Sequence, residues 1–512
     1  MKKATGCIMS AVLAASVAGL WGEDWPQWGG SLDRNMISPA KDLPLDFDPG
    51  KFKAGSEEVD MSTTKLCKWV AKLGSQSYGT PTISGGKIFV GTNNENPRNS
   101  NRVGDRGVLM CFEEASGEFL WQLAVPKLGA GKVSDWEFLG ICSSATVVGN
   151  RAYIVTNRCQ IVCLDTEGLA NGNDGPFTSE VEYMTERGEQ PVELSPTDAD
   201  VIWVFDMREE LGVFPHNIAS SSVAVVGDTV VATTSNGVDW SHTNIPSPQA
   251  PSLILLNAQT GELIGEEASG VSQRVLHCSW ASPAFGKIGG RDTIVFGGGD
   301  GWCYGYNPIP EKDEEGFGIL SEYWRYDCNP PEYRKDPAGN PVKYATYAGP
   351  SEVVATPVIH EDRVFVLVGQ DPEHGVGVGM LSCIDATQSG DLSGKALWTY
   401  RDVHRSMSTP SVADGLVYVA DYSGHVHCLD AKTGEPQWVF DTLGHIWAST
   451  LVVDGKVLIG NEEGELIVLE HGREKNELGR IEFSAPLYSS PVVANGTVYL
   501  ATQTHLYAFG KN

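Results

Sequence analysis

The residue types in this chain whose spacing points to chemistry are histidines and aromatics. His216, His277, His404 and His445 each stand five to seven residues ahead of a recurring small-residue position, with Arg405 beside one of them. Tyr78, Trp280, Trp447 and Tyr488 each stand three residues ahead of the same position. Imidazoles ligate metals and exchange protons, and flat rings offer much contact area to a planar ligand for little entropy. Trp240, His242 and His374 fall in two of three long insertions, at 93–106, 236–251 and 370–379. Two outcomes are open for these rings: they form a ligand site, or they plug a channel and pack against one another.

Metal ligation has two candidate sources. No histidine pair has the tight spacing of a zinc motif, and His425 and His427 project onto one face of a strand, where a polar strand edge is expected. Asp165 with Asn171, Asn173 and Asp174 supplies hard oxygen donors for Ca2+ in a Gly/Asn-rich loop, but not at EF-hand spacing. No Gly-x-Ser-x-Gly, His-Glu-x-x-His or Walker sequence occurs, so hydrolase chemistry gains no support.

The elements that must position these residues form a repeat. One strand-turn-strand phrase occurs eight times, centred on Pro81, Ala145, Val223, Pro283, Pro357, Pro410, Thr450 and Pro491. A third strand follows, then commonly Ala-x-Thr-Gly-Glu and a fourth strand carrying Trp, as in Ala431 to Glu435 with Trp438. Trp121, Trp203, Trp324 and Trp398 hold the fourth-strand place elsewhere. Units of about 40 residues with four strands are propeller blades, so the expected fold is all-β, an eight-bladed β-propeller of four-stranded antiparallel blades. The last copy ends after three strands. The Trp-bearing strand around Trp69 is expected to complete it, closing the ring with both ends of the chain in one sheet. Cys111, Cys163, Cys383 and Cys428 share a frame with Gly305, Val468 and Ala508, which reads as a small buried packing slot.

Composition narrows the partners. With 37 Lys and Arg against 65 Asp and Glu, the net charge of −28 repels phosphate backbones and anionic lipid, and no nucleic-acid partner is expected. Lys2 and Lys3 precede an apolar run over 4–20 with small residues at Ser16 and Ala18, the pattern of a cleaved secretion signal, too short for a bilayer span. The expected organisation is a signal peptide over 1–20, an extension packed on the propeller over 21–64, and the propeller over 65–511. The chain is then periplasmic or secreted, without an integral membrane segment after cleavage, and monomeric.

The Ala-x-Thr-Gly-Glu-x-x-x-Trp element resembles the tryptophan-docking repeat of pyrroloquinoline-quinone-type propellers, over nearly all of 65–511. The opening Asp24-Trp25-Pro26-Gln27-Trp28-Gly29-Gly30 with Arg34-Asn35 is similar to the start of secreted bacterial members. That family includes quinoprotein alcohol and sugar dehydrogenases and a noncatalytic outer-membrane assembly protein, so the resemblance implies fold more than activity. The dehydrogenases usually carry adjacent cysteines over the quinone, and this chain has no Cys-Cys pair and no Cys-x-x-Cys-His haem motif. The expected function is an exported, noncatalytic binding or scaffold propeller without a cofactor, engaging a protein or carbohydrate partner of the cell envelope through its funnel-side loops. The alternative is a divergent dehydrogenase with pyrroloquinoline quinone and Ca2+ in the funnel.

Overall fold

The computed structural model describes residues 23–346, 349–370 and 379–511. The signal expected over 1–20, and His374 in the third insertion, lie outside the described residues. Eight sheets follow one another around the hub, each built on four antiparallel strands that run in chain order from the hub outward in the first seven; Gly318–Leu320 and Gly390–Asp391 add parallel to the outer edges of blades 3 and 4. The inner strands are Thr82–Ser84, Thr146–Val148, Ala224–Val226, Ala284–Ile288, Val358–His360, Ser411–Ala413, Leu451–Val453 and Val492–Ala494. This is the eight-bladed propeller expected from the repeat. Cys67–Lys72 pairs with His505–Phe509, placing the N-terminal strand as the outer strand of blade 8.

The repeat sequence has a physical reason at the joints between blades. Each docking Trp lies across its sheet from the small slot: Trp121 faces Cys111, Trp203 faces Cys163, Trp324 faces Gly305, Trp398 faces Cys383, Trp438 faces Cys428 and Trp69 faces Ala508. A larger residue would collide with the indole; a Cβ on Gly305 would come within 2.3 Å of the Trp324 ring. The ladder slips by one residue beside this slot in seven of the eight blades, and such a bulge bends and twists the outer strand. Five of these indoles then donate to a backbone carbonyl of the next blade: Trp69 to Glu114, Trp121 to Thr166, Trp203 to Ala258, Trp398 to Ala431 and Trp438 to Gly472, at 3.0–3.1 Å. The Gly of the repeat lies against the same ring. Gly117, Gly168, Gly261 and Gly434 all have φ between +57° and +75°, and a Cβ on any of them would meet the preceding blade's Trp at 2.5–2.7 Å. Glycine is needed twice over, for the left-handed turn and for the close approach.

All ten described cysteines are free thiols. Burial pushes them up, Cys163, Cys383 and Cys428 to about 12, so they pack as neutral apolar groups.

The extension ahead of the first blade threads across one end of the hub and bonds to all eight blades. Asp24 accepts from the Asn495 amide of blade 8, Trp25 exchanges two backbone bonds with Ile83 of blade 1, and Pro26 accepts from Val147 of blade 2. Arg34, fully buried, donates to the carbonyls of Val223 in blade 3 and Pro283 in blade 4. Asp33 accepts from Ile359 of blade 5, Asn35 exchanges two bonds with Val412 of blade 6, and Met36 accepts from Val452 of blade 7. Ile37–Ser38 then adds to blade 7 as a parallel fifth strand. Farther on, Phe47 stacks on Phe509 at 3.9 Å and joins the largest hydrophobic cluster, which spans the seam of blades 7, 8 and 1.

Candidate functional site: a one-ended funnel

The loops entering the inner strands and the turns between second and third strands share one end of the ring. The strap at 23–38 crosses the other end, and Trp28 rises from it into the channel, donating its indole N–H to Thr356 Oγ1 at 3.1 Å. What remains is a cavity of about 730 Å³, floored by Trp28 and open at the loop end. Its waist is a ring of hydroxyls, one from each blade: Thr80, Ser144, Ser222, Ser282, Thr356, Thr409, Ser449 and Ser490. Most of the ring is also structural. The backbone N–H groups of Ser144, Ser222, Thr409, Ser449 and Ser490 donate to the hydroxyl of the following blade at 2.8–3.1 Å, the last of these crossing from blade 8 to Thr80 of blade 1. Each of these hydroxyls stands one residue before the repeat's Pro-equivalent position, so all eight were visible in the sequence once the copies were aligned.

Above the waist lie the aromatics. Tyr78 stacks on Tyr488 at 4.8 Å, and Trp447 meets both edge-on or tilted at 5.5–5.6 Å. Tyr422 approaches Trp447 edge-on at 5.6 Å. The Tyr488 hydroxyl donates to Glu462 Oε1 at 3.2 Å. Burial pushes the Tyr78 and Tyr488 phenols up, with Glu462 adding to the effect at Tyr488, so both stay neutral O–H groups at neutral pH. Trp280 holds the opposite wall, its indole N–H bonded to the Ile218 carbonyl at 3.0 Å. Trp136, Glu137 and Phe138, from the loop joining blades 1 and 2, complete the wall. The described lining contains the carboxylates Glu137 and Glu462 and no Lys or Arg.

Of the residues singled out in the sequence, Tyr78, Trp280, Trp447 and Tyr488 thus line one cavity, whereas the imidazoles and Arg405 do not share it. His445 is exposed on the rim, stacked on the back of Tyr422 at 4.4 Å, and Arg405 lies over the same tyrosine. His404 belongs to a separate cluster in blade 6. There the buried Asp421 accepts from His427 Nε2 at 3.0 Å and from the backbone N–H groups of His404 and His425. His427 is therefore a buried, bonded residue, not the polar strand edge expected. Burial pushes the Asp421 carboxyl up, but the hydrogen bond and charge of His427 and the two N–H groups outweigh it and hold Asp421 below the usual carboxylate range. Trp240 is exposed on the insertion of blade 3.

His216, His242 and His277 come together behind Trp280, with ring centroids 4.3–5.0 Å apart and His277 at 4.9 Å from the Trp280 ring. They arrive from three segments: the entries to blades 3 and 4 and the insertion of blade 3. Such a group has no local spacing, so no sequence motif could have shown it.

The oxygen donors considered for Ca2+ lie on the far side of blade 2, at its third-to-fourth-strand turn. Asp165, Asp174 and Asp200 bring carboxylate oxygens within 4.8 Å of one another. Asn171 donates to Asp174 and Asn173 to Glu180, while Asp165 accepts from Arg151 at 2.7 Å. Burial pushes the Asp200 carboxyl up, and the charges of Asp165, Glu180 and Asp174 add to it.

Missed in the sequence were Tyr422 and Glu462, which follow the second strands of blades 6 and 7 in the matching turns Asp421-Tyr422-Ser423-Gly424 and Asn461-Glu462-Glu463-Gly464. Their equivalence was legible there. Trp28 and the loop carrying Trp136 and Phe138 lie outside the repeat, and nothing local marked them.

The radial four-stranded blades, the docking tryptophans and the closed hub define a pyrroloquinoline-quinone-like propeller. The family model for outer membrane protein assembly factor BamB matches residues 103–279 and 344–440, more than half of the chain, and the chain belongs to that family. Solved structures that share the fold include the following two. BamB from Moraxella catarrhalis aligns with a TM-score of 0.51 at 13% identity, over 87% of this chain and 97% of that one. Quinohemoprotein alcohol dehydrogenase ADHIIG from Pseudomonas putida HK5 aligns with a TM-score of 0.55 at 12% identity, over 96% of this chain and 81% of that one. No curated protein sequence matches the chain. Among the described residues no helix is long and apolar enough to cross a membrane.

Proposed function

We propose that this protein is an exported, monomeric binding propeller, without catalytic activity of its own, that takes a neutral, hydroxyl-rich ligand such as an envelope carbohydrate into its funnel. The observation that carries this reading is the lining of the 730 Å³ cavity: indole and phenol faces above a ring of eight hydroxyls, with two carboxylates and no described cation. Aromatic faces cover the apolar faces of a sugar ring, while hydroxyls and carboxylates exchange hydrogen bonds with its rim. Trp240 and Leu443, exposed on two different loops around the mouth, extend the contact surface beyond the cavity.

The second reading, a quinoprotein dehydrogenase, is favoured by the fold shared with the Pseudomonas enzyme. The lining argues against it. Pyrroloquinoline quinone is a tricarboxylate, and it would set three negative charges beside Glu137 and Glu462 with no described Lys or Arg in the wall. These residues do not fit the group.

Titration of the mature chain with a panel of neutral and charged oligosaccharides, followed by tryptophan fluorescence, tests the proposal. A neutral glycan should bind, and Trp280→Ala and Trp447→Ala should each weaken it more than about tenfold, or 1.4 kcal/mol. Absence of glycan binding, together with dye reduction after loading with the quinone and Ca2+, would replace it with the second reading.

A further inference from the structure

The three histidines behind Trp280 have the surroundings of a metal site. His216 and His277 are buried and His242 is half-buried at the rim, and one ring nitrogen from each lies within 4.8 Å of the others. Tetrahedral ligation at ~2.0–2.1 Å separates donor atoms by about 3.4 Å, so modest ring movements close the set.

What surrounds the rings is as telling as the rings themselves. His216 Nδ1 lies 2.6 Å from the Val238 carbonyl oxygen. A carbonyl only accepts, so Nδ1 carries a proton, and in the neutral imidazole the ligating atom would be Nε2. His277 Nδ1 faces the Glu352 carboxylate at 3.6 Å, with both side chains buried. A backbone carbonyl on one imidazole and a carboxylate behind another are the outer partners that fix the tautomer and raise the basicity of metal-bound histidines. His242 is held in the left-handed region at φ +54°, in a turn tied by Asp239, whose carboxylate accepts from the Ser241 N–H and the Asn244 amide. A non-glycine residue in that conformation costs about 1 kcal/mol and persists only where its surroundings fix it.

We propose that His216, His242 and His277 bind one divalent transition-metal ion of the zinc class, with Glu352 orienting His277 from behind. Three neutral imidazoles select a borderline ion over Ca2+ or Mg2+, which prefer oxygen donors. The three described imidazoles account for three of the four positions of a tetrahedral ion. The ion would pin the blade 3 insertion to the entries of blades 3 and 4 and so fix the wall that carries Trp280. This site needs no carbohydrate, so it stands or falls apart from the function proposed above.

The test uses the mature full chain, dialysed against a chelator and titrated calorimetrically with ZnCl2. One equivalent should bind, CaCl2 should not compete, and Co2+ should show the intense visible bands of four-coordinate cobalt. Saturating Zn2+ should also raise Tm. His242→Asn, at a half-buried loop position, should keep the native circular dichroism and weaken Zn2+ by at least about 100-fold, and Glu352→Gln should weaken it about 10–100-fold. Should Glu352→Gln not fold, His242→Asn and the cobalt spectrum still decide. Failure of the wild-type chain to bind Zn2+, a six-coordinate cobalt spectrum, or unchanged affinity in His242→Asn overturns the proposal.

Discussion

Gly434 and Gly415 sit in the same blade with nearly the same backbone, φ +75° and +76°, yet they should respond very differently to an added methyl group. Gly415 faces open space, so Gly415→Ala should cost only the left-handed conformation, about 1 kcal/mol. At Gly434 the new Cβ would come within 2.5 Å of the Trp398 ring, whose indole N–H is bonded to the Ala431 carbonyl three residues earlier. Either the ring moves and loses that hydrogen bond, leaving the carbonyl to Arg363 alone at 3.1 Å, or the turn moves and breaks the joint. The overpacking adds roughly 1–3 kcal/mol to the backbone cost. Thermal melts should therefore show a loss of Tm for Gly434→Ala two to four times that for Gly415→Ala. Equal shifts would mean that the repeat glycine serves only the turn and that the indole is not a rigid strut.

The strand that closes blade 8 carries the clearest pH dependence. His505 pairs with Lys72 of the closing strand, and its Nε2 bonds to the Glu57 carbonyl of the extension at 2.9 Å. Burial lowers its pKa below the ordinary 6.5; the Glu57 carbonyl opposes this, and the Lys72 charge reinforces it. A folded pKa below the unfolded value means that the unfolded chain takes the proton first. The closure is thus at full strength above about pH 6.5 and weakens as pH falls through that value toward the lower folded one. His505→Asn should have a lower Tm than the wild type at pH 8, and the gap should narrow by pH 5. A gap that widens on acidification would contradict the assignment. The strand pairing at this closure was legible in the sequence, because a Trp-bearing strand was left over at one end and a strand was missing at the other. The strap was not. Its polar residues, Arg34 and Asn35, bond to the carbonyls and N–H groups of distant blades, and backbone acceptors leave no mark on sequence. The same holds for the site. Tyr78, Trp280, Trp447 and Tyr488 shared a repeat frame and could be placed together, whereas the grouping of His216 with His242 depends on the path of one insertion.

At the scale of the ring, two separable devices hold a circular array shut, and truncation should tell them apart. Blade 8 is closed by Cys67–Lys72, which covers the edge of His505–Phe509 that would otherwise expose a row of backbone N–H and C=O groups. The hub end is closed by the strap over 23–38, which contributes bonds to every blade but completes no sheet. A chain starting at Leu66 keeps the strand and loses the strap. It should sediment as the full chain does with native far-ultraviolet dichroism, melt several degrees lower, and have a channel open at both ends, because Trp28 has gone from the floor. A chain starting at Gly74 loses both. The bare edge of blade 8 is then a template for pairing with another molecule, and sedimentation should show larger species than the chain starting at Leu66 forms. The surface charge works against that association, since acidic residues still outnumber basic ones and like-charged copies repel. Association of the shorter chain should therefore strengthen as salt rises from 10 to 150 mM, over which the screening length falls from about 30 to 8 Å. A monomeric Gly74 chain with unchanged Tm would show that seven and three-quarter blades suffice to hold the circle, and that the N-terminal strand is not what closes it.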